Sequence, residues 1–314
     1  MKVLVVGGSG FIGKYCIDDF LAHGHDVTNI DLMKYIPDKN GERYHYYKRD
    51  AKRAFPIEGQ DVLINFAALL GGIKYFHKYP ATLMAENELI CASVFNQALK
   101  AYQSKNLKRV IQLSSSMVFE NTSIYPTSEE DLVNTPSPSS VYGFQKLAAE
   151  YWCKAFNEEY SLPYVIVRPF NAVGIGEDPT ADSHVIPQLA YKILKGQNPL
   201  EIIGKGNQIR VYTHASDIAS AIRLIVEDPT IVNMDFNISN EANEISVLEL
   251  AKSLWNRIQS DKEFRYVELP DLKYDVQKRV GSSKKAQILL KWQPKVSLPA
   301  ALDEVVKDME KWVE

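Results

Sequence analysis

Two side chains that could move and stabilise a proton, Tyr142 and Lys146, lie four residues apart in a stretch with helical character. Residues i and i+4 share one face of a helix, so the ammonium group of Lys146 is expected beside the phenol of Tyr142. A nearby cation favours the phenolate, which can take or return a hydroxyl proton. The spacing therefore predicts general acid–base chemistry, but a Y-x-x-x-K match also arises by chance and the rest of the chain has to decide.

A glycine-rich turn near the N-terminus predicts a dinucleotide site. A short apolar run ending at Val6 precedes it, and a helix-like stretch follows to Gly24. The spacing G-x-x-G-x-x-G lets backbone N–H groups approach a pyrophosphate at the positive end of the following helix. The predicted cofactor contacts in this turn are Gly7, Gly10, Phe11, Ile12 and Gly13.

A carboxylate follows the second apolar run at the distance that a ribose contact requires. Asp31 comes directly after Val27 to Ile30, about 20 residues beyond the glycines, where it can accept hydrogen bonds from a ribose 2′-OH. A 2′-phosphate would be repelled there. Asp31 therefore favours NAD over NADP, the alternative being a turn residue after a strand.

Composition is that of a compact enzyme without a polyanionic partner. The chain has 314 residues, of which 46% are hydrophobic, and a net charge of −3 that gives no reason to expect nucleic acid or an anionic membrane. The N-terminal apolar run is too short for a signal sequence, and no stretch reaches the ~20 apolar residues of a membrane span, so a cytoplasmic location is expected. The cysteines lack metal or redox spacing, so no metal and three buried free thiols are expected, at Cys16, Cys91 and Cys153.

Short β-rich runs alternate with helix-length stretches along the first half of the chain. This alternation predicts an α/β fold with a parallel, doubly wound sheet, in which ligands lie outside the carboxyl ends of the strands. The predicted helices include Ala81–Tyr102 and Val141–Tyr160, and loops are predicted at Phe170–Ser183 and Gly196–Gln208. The predicted strands are Val3–Val6, Val27–Ile30, Tyr44–Lys48, Val62–Asn65, Arg109–Leu113 and Tyr164–Val167.

An ordered series of motifs resembles the extended short-chain dehydrogenase/reductase family, in its nucleotide-sugar epimerase and dehydratase branch. The resemblance covers nearly the whole chain. Its motifs are GGSGFIG at 7–13, NFAA at 65–68, SSSMVF at 114–119, YGFQK at 142–146, RPFN at 168–171, GKGNQIR at 204–210, THASD at 213–217, DVQKR at 275–279 and KWQP at 291–294. It implies a Rossmann-type NAD-binding domain at 1–168 that carries the catalytic residues. A smaller α/β domain at 169–314, mainly for the nucleotide sugar, is expected to return some segments to the Rossmann sheet.

The resemblance implies a role for each matching residue. Ser115 matches the hydroxyl that binds the reacting sugar oxygen, Tyr142 the base, and Lys146 its electrostatic partner and ribose ligand. The further residues that match cofactor positions are Asp50, Ala51, Phe66, Ala67, Ala68, Asn87 and Pro169. Those that match substrate positions are Ser116, Asn171, His184, Val185, Arg210 and Arg279, where Asn171 and Arg210 face a diphosphate and Arg279 is a weaker candidate for it. Ser116 and Arg210 also have structural alternatives, a strand-end hydroxyl and a surface salt bridge.

Residues that related activities need are missing here. The family's dehydratases carry an Asp-Glu pair after the catalytic hydroxyl, where this chain has Ser116 and Met117, so elimination of water is not expected. The loop AALLGGI at 67–73 resembles that of GDP-fucose synthases and GDP-mannose 3,5-epimerases and hints at a GDP-sugar. Met117 nevertheless replaces their cysteine, and the loop 174–178 offers no His or Lys, so a 3,5-epimerase is not expected either.

Oxidation at a single carbinol remains. The resemblance favours an NAD-dependent 4-epimerase of a GDP- or UDP-linked sugar, with a GDP-sugar 4-dehydrogenase as the close alternative. A 4-keto reductase is disfavoured by Asp31, since biosynthetic reductases usually use NADPH, and a redox-silent nucleotide sensor is hard to reconcile with an intact Ser115, Tyr142 and Lys146. The helices at 81–102 and 141–160 match the pair that the family packs into a dimer, so a homodimer is expected.

Overall fold

A seven-stranded parallel sheet forms the centre of the molecule. The computed structural model describes residues 1–37, 41–70, 78–179, 183–271 and 276–313. The strands of this sheet are β1 Lys2–Val6, β2 Asp26–Asp31, β3 Tyr44–Lys48, β4 Val62–Asn65, β5 Arg109–Leu113, β6 Tyr164–Pro169 and β11 Met234–Ile238. The strand order is β11-β6-β5-β4-β1-β2-β3, with every neighbouring pair parallel.

Helices cover both faces of this sheet, as the doubly wound prediction requires. The helices are α1 Phe11–Ala22, α2 Pro80–Gln103, α3 Val141–Tyr160, α4 Val185–Leu194, α5 Ala215–Glu227, α6 Val247–Ile258, α7 Lys284–Leu289 and α8 Leu298–Glu310. One face packs against α1 and α5 and the other against α2 and α3. The β1 run is buried from Val3 to Val6 because its side chains alternate between these two apolar layers.

The predicted strands and helices are confirmed with small extensions. Strands β1, β2 and β6 gain one or two residues at their ends, and α3 has the predicted bounds. Helix α2 is one residue longer at each end than predicted. The three cysteines are buried free thiols, as expected.

The C-terminal half contains strands that the sequence did not indicate. Two lie inside the predicted loops, which is a correction: β7 Ala172–Val173 and β8 Leu200–Ile203. Strand β11 returns to the main sheet beside β6, so elements from both sides of residue 168 share one sheet. The domain boundary at that residue therefore stays a prediction.

A second apolar core lies beyond the sheet. Helices α4, α6 and α8 supply most of it, and Trp255 on α6 is among its largest buried side chains. Its short strands are β9 Ile209–Val211, β10 Thr213–His214, β12 Glu244–Ser246, β13 Tyr266–Leu269 and β14 Lys278–Arg279. β9 pairs with both β12 and β14, which brings two arginine-bearing strands side by side.

Within the described part of the chain, no helix is both long and apolar enough to span a bilayer.

Candidate active site

The glycine turn between β1 and α1 has the shape that a dinucleotide needs. Gly7 has φ of +81°, and a Cβ there would lie 2.5 Å from the backbone nitrogen of Ala67. A Cβ at Gly13 would lie 2.6 Å from the carbonyl oxygen of Gly8, so the first turn of α1 packs directly on the loop. Gly10 is the N-cap of α1, so the glycine turn leads directly into the N-terminus of this helix. The backbone thus leaves open the positive end of a helix, which suits a pyrophosphate.

Asp31 ends β2 beside this turn. Its Oδ2 accepts a hydrogen bond from the Ser9 backbone N–H at 2.9 Å, and its Oδ1 accepts one from the Met33 N–H at 3.0 Å. Each carboxylate oxygen has a second lone pair, so both can still accept a ribose hydroxyl. The residues present therefore fit a dinucleotide with a free 2′-OH.

The loop after β4 runs along the same edge of the sheet. Phe66 is buried, and its N–H donates to the Val6 carbonyl at 2.8 Å, while Ala67 and Ala68 are half-buried. Asn87 on α2 is buried, and its amide bonds the Leu69 N–H at 2.6 Å and the Leu69 carbonyl at 3.1 Å. Asn87 therefore holds the loop in place, and its direct contact with the cofactor stays a prediction.

Asp50 and Ala51 follow β3 on the same side of the sheet. The Asp50 Oδ1 accepts a hydrogen bond from the Lys52 N–H at 2.9 Å, and its Oδ2 lies 3.6 Å from the Lys52 ammonium, which also pairs with Glu86 of α2. Asp50 and Ala51 are both half-buried. Asp50 is thus fixed by its own loop, and the predicted contact with an adenine stays a prediction.

Ser115 lies where β5 ends. Its hydroxyl accepts a hydrogen bond from the Met117 N–H at 3.1 Å and caps the 3₁₀ turn Ser116–Phe119. The hydroxyl proton remains available for donation, because the side chain acts only as acceptor in this bond. Ser116 is buried inside the turn, which leaves its substrate contact a prediction.

Tyr142 and Lys146 project from the first two turns of α3. Lys146 is only 4% exposed, its ammonium donates to the Leu113 carbonyl at 3.3 Å, and it lies 5.9 Å from the centre of the Tyr142 ring. Leu113 is the last residue of β5, two residues before Ser115. The lysine therefore ties the tyrosine's helix to the strand that carries the serine, and the structure brings the three predicted catalytic residues to one edge of the sheet.

Pro169 and Phe170 close the site at the end of β6. Both are buried, and the Phe170 N–H donates to the Ile238 carbonyl at 3.0 Å. The Phe170 ring stacks on Phe119 with centroids 6.3 Å apart. Pro169 thus lies in a rigid wall next to the catalytic strand, and its contact with the cofactor stays a prediction.

Two arginines and an asparagine form the predicted diphosphate site. Arg210 and Arg279 are register partners on the parallel pair β9 and β14. The Arg279 Nη1 donates to the Asn171 Oδ1 at 3.2 Å, and the Asn171 amide donates to the Val211 carbonyl at 2.7 Å. The structure therefore brings Asn171, Arg210 and Arg279 together. Neighbouring arginines suit a diphosphate, and the contact of these residues with one stays a prediction.

Tyr212 belongs to the same region, and sequence reasoning missed it. It is 3% exposed, and its hydroxyl has no hydrogen-bond partner among the described residues. Burial raises the pKa of Tyr212 to about 12, although the positive charges of Arg210 and Arg279 act in the opposite direction. A buried hydroxyl for which the described residues offer no partner costs free energy.

His184 and Val185 lie at the start of α4. His184 is exposed, and its Nδ1 lies 2.5 Å from the Glu177 Oε1, whose charge raises the pKa of the imidazole. Val185 is half-buried against the second core. The contact of these two residues with a nucleotide stays a prediction.

A buried ionic network lies directly behind the catalytic residues. Arg168 is fully buried, and its Nε and Nη2 donate to the two carboxylate oxygens of Glu150 at 2.7 and 2.8 Å. Burial lowers the pKa of Arg168, but Glu150 and Asp235 outweigh it and hold the pKa above its ordinary value. Glu150 also accepts a hydrogen bond from the Ser114 hydroxyl at 2.6 Å, which connects α3 to the residue before Ser115.

Some predicted features lie outside the described residues. They are the part of the GDP-sugar-like loop at 71–73 and the Asp275 that opens the C-terminal motif.

The glycine turn, the carboxylate after β2 and the tyrosine–lysine pair on a doubly wound sheet define a dinucleotide-dependent enzyme. Residues 3–239 match the NAD dependent epimerase/dehydratase family, and the chain belongs to it. This membership confirms the predicted nucleotide-sugar branch of the extended short-chain dehydrogenases and NAD as the cofactor.

Relatives cover the chain from end to end. UDP-glucuronic acid decarboxylase 1 of Danio rerio is 24% identical over 319 residues, which span 98% of this chain and 72% of the relative. The UDP-glucose 4-epimerase of Thermotoga maritima, solved with UDP-glucose, is 28% identical with a TM-score of 0.86 and covers 100% of both chains. The UDP-glucuronic acid 4-epimerase of Bacillus cereus, solved with UDP-glucuronic acid and NAD, is 25% identical with a TM-score of 0.85 and covers 99% of this chain and 100% of its own.

Replacing Gly7 with alanine is expected to weaken NAD binding by at least about tenfold, or ~1.4 kcal/mol. The positive φ alone costs about 1–2 kcal/mol of stability, and the new Cβ would also press on the Ala67 backbone. Gly59 is the matched control, because its φ is +72° and a Cβ there meets nothing within 4 Å. Titration calorimetry should show full NAD affinity for Gly59→Ala, and equal affinities for both variants would contradict the role of Gly7.

Proposed function

We propose that the protein is an NAD-dependent 4-epimerase of a UDP-linked sugar. The observation that carries the proposal is the convergence of Ser115, Tyr142 and Lys146 at the end of β5, beside a turn built for a dinucleotide. The 4-epimerases among its relatives, which match it over nearly their whole length, support the choice of reaction.

The side chains divide the proton chemistry between them. Ser115 holds the C4 oxygen of the sugar, Tyr142 removes the C4 hydroxyl proton, and the Lys146 ammonium stabilises the phenolate. NAD, when bound, supplies the acceptor for the C4 hydrogen as a hydride. Once the sugar has turned and presents its opposite face, C4 regains that hydride and Tyr142 returns its proton to the C4 oxygen.

The diphosphate is held by the second half of the molecule. Arg210, Arg279 and Asn171 bind its oxygens, which anchors the nucleotide while the sugar ring turns. UDP is preferred over the GDP that one loop motif suggested, because the relatives that span the whole chain carry UDP-sugar names.

The close alternative is a 4-dehydrogenase that releases the 4-keto sugar. The same Tyr142 chemistry serves both reactions, and they differ only in whether the keto sugar turns before it leaves. A 4-keto reductase and a redox-silent sensor are the further alternatives, and Asp31 and the intact catalytic set speak against them.

Product analysis separates these possibilities. The purified protein is incubated, without added NAD, with UDP-glucose, UDP-N-acetylglucosamine, UDP-glucuronic acid and GDP-mannose, and C4 is followed by NMR. A C4 epimer supports the epimerase. A 4-keto sugar with an equal amount of reduced cofactor would identify the dehydrogenase, and a pentose from UDP-glucuronic acid would identify a decarboxylase.

We also propose that the protein is a homodimer that pairs through α2 and α3. Both helices expose large apolar side chains, namely Met84, Leu89, Phe144 and Tyr151. Exposed apolar side chains on adjacent helices are typical of protein interfaces. Light scattering of the NAD-loaded protein measures the mass directly, and a monomer at micromolar concentration would contradict the dimer.

Replacing Tyr212 with phenylalanine is expected to weaken UDP binding while leaving the free protein as stable or more so. Loss of a hydrogen bond to a charged phosphate corresponds to about 1.5–3 kcal/mol, or at least about tenfold in affinity. In the free protein the substitution removes a buried hydroxyl that has no partner among the described residues, so the free energy of unfolding should rise by up to about 1 kcal/mol. Tyr266→Phe on exposed β13 is the control. An unchanged UDP affinity would remove Tyr212 from the site.

A further inference from the structure

We infer that Glu120 is a positioning residue for catalysis, which fixes the helix of Tyr142 against the turn of Ser115. The inference rests on the proposed function, since it assigns a role within that same site. No sequence motif pointed to this residue.

Glu120 bridges the two catalytic segments. It follows directly on the 3₁₀ turn that Ser115 caps, it is 8% exposed, and it points to the N-terminus of α3. Its Oε2 accepts hydrogen bonds from both the backbone N–H and the hydroxyl of Ser140, each at 2.9 Å. Ser140 is the N-cap of α3, two residues before Tyr142.

The hydrogen bonds of Ser140 connect Glu120 to the first turn of α3. Because the Ser140 hydroxyl gives its proton to Glu120, its oxygen is free to accept the Gly143 N–H at 3.0 Å. The carboxylate thus orients the cap, and the cap orients the first turn, which contains Tyr142. A negative charge at a helix N-terminus is also favourable in itself.

Gly143 shows how closely the two segments meet. A Cβ there would lie 2.8 Å from the Met117 carbonyl oxygen and 3.1 Å from the Glu120 Oε2. The start of α3 therefore rests on the backbone of the Ser115 turn. Lys146 makes a second connection one turn later, through the Leu113 carbonyl. With both connections in place, Ser115 and Tyr142 have a fixed separation, and displacement of a reacting group by about 1 Å can cost up to about 100-fold in rate.

The test compares Glu120→Ala with Glu120→Gln and with Glu129→Ala in the NAD-loaded enzyme. Glu129 is the matched control, because it is similarly buried and close in sequence but its carboxylate accepts the Asn237 N–H on β11 and not the N-cap of α3. Glu120→Ala is expected to lower kcat about tenfold with KM within about twofold, since substrate contacts are kept and only the catalytic alignment loosens. Glu120→Gln should restore kcat to within about threefold of the wild type, because its amide oxygen can still accept the Ser140 N–H.

The results that overturn the inference are distinct from those that overturn the proposed function. Equal losses of kcat in Glu120→Ala and Glu129→Ala, or a rise in KM alone, would reduce Glu120 to a structural residue. If the wild type converts no sugar, the proposed function fails, and hydrogen exchange then decides on Glu120. The Gly143 amide should exchange about tenfold faster in Glu120→Ala than in Glu129→Ala, and equal exchange would overturn the positioning role.

Discussion

Replacing Tyr142 with phenylalanine should lower kcat about 10³-fold, within the range that general acid–base catalysis contributes. The phenol proton is the one proposed to move to and from the C4 oxygen, and the Lys146 ammonium lies 5.9 Å from the centre of the Tyr142 ring. UDP-sugar binding should change little, because the residues proposed to bind the diphosphate, Arg210 and Arg279 among them, lie on strands far from Tyr142 in the chain. The measurement is steady-state turnover together with titration calorimetry.

Tyr160 provides the control on the same helix. It is 39% exposed and is the last residue of α3, so Tyr160→Phe should keep full activity. A Tyr142→Phe enzyme that retained more than about a tenth of the wild-type kcat would show that another group is the base. If the wild-type protein turned over no substrate and ligand binding were unchanged in the variant, the redox-silent sensor would be the better interpretation.

Replacing Glu150 with alanine should lower the free energy of unfolding by about 3–5 kcal/mol, because it leaves a buried guanidinium without its main partner. Arg168 is fully buried, and its remaining carboxylate, Asp235, is shared with the Lys285 ammonium at 2.8 Å. The Ser114 hydroxyl also loses its acceptor. Urea unfolding measures the change as a lower midpoint at a constant m-value.

An exposed ion pair gives the comparison. Glu263 and Arg265 are paired at 2.7 Å with side chains 72% and 68% exposed, so Glu263→Ala should cost no more than about 1 kcal/mol. If Glu150→Ala were equally mild, the buried network would not be what holds α3 against the sheet. A fall in kcat is expected alongside the loss of stability, since Lys146 lies one turn from Glu150.

The six strands that were predicted are the ones whose local sequence decides their structure. Runs such as Val3 to Val6 are apolar on both faces, which only a strand between two helical layers satisfies. Strand β11 was missed because it contains Asp235 and Asn237. These side chains are tolerated there only through distant partners, Arg168 for the aspartate and the Thr127 carbonyl, at 3.1 Å, for the asparagine.

The residues of the site also fall into two groups, those that the sequence could place and those that depend on contacts in the folded chain. Ser115, Tyr142 and Lys146 could be placed because motif spacing and strand ends bring them together. Tyr212 could not be placed, since what distinguishes it is a buried hydroxyl for which the described part of the chain offers no hydrogen-bond partner. Glu120 could not either, because its role comes from contact with a cap 20 residues later in the chain. Such properties exist only after the chain has folded.

The most direct test of the account uses UDP-glucose deuterated at C4. The enzyme is incubated with this substrate as purified, and the product is examined by NMR for its configuration at C4 and for the deuterium. The proposed mechanism predicts that the C4 epimer, UDP-galactose from this substrate, keeps the deuterium at C4, because the same hydrogen leaves and returns within one site while Tyr142 carries only the hydroxyl proton. A C4 epimer that carries hydrogen from solvent, or a substrate panel from which no C4 epimer arises, would contradict it.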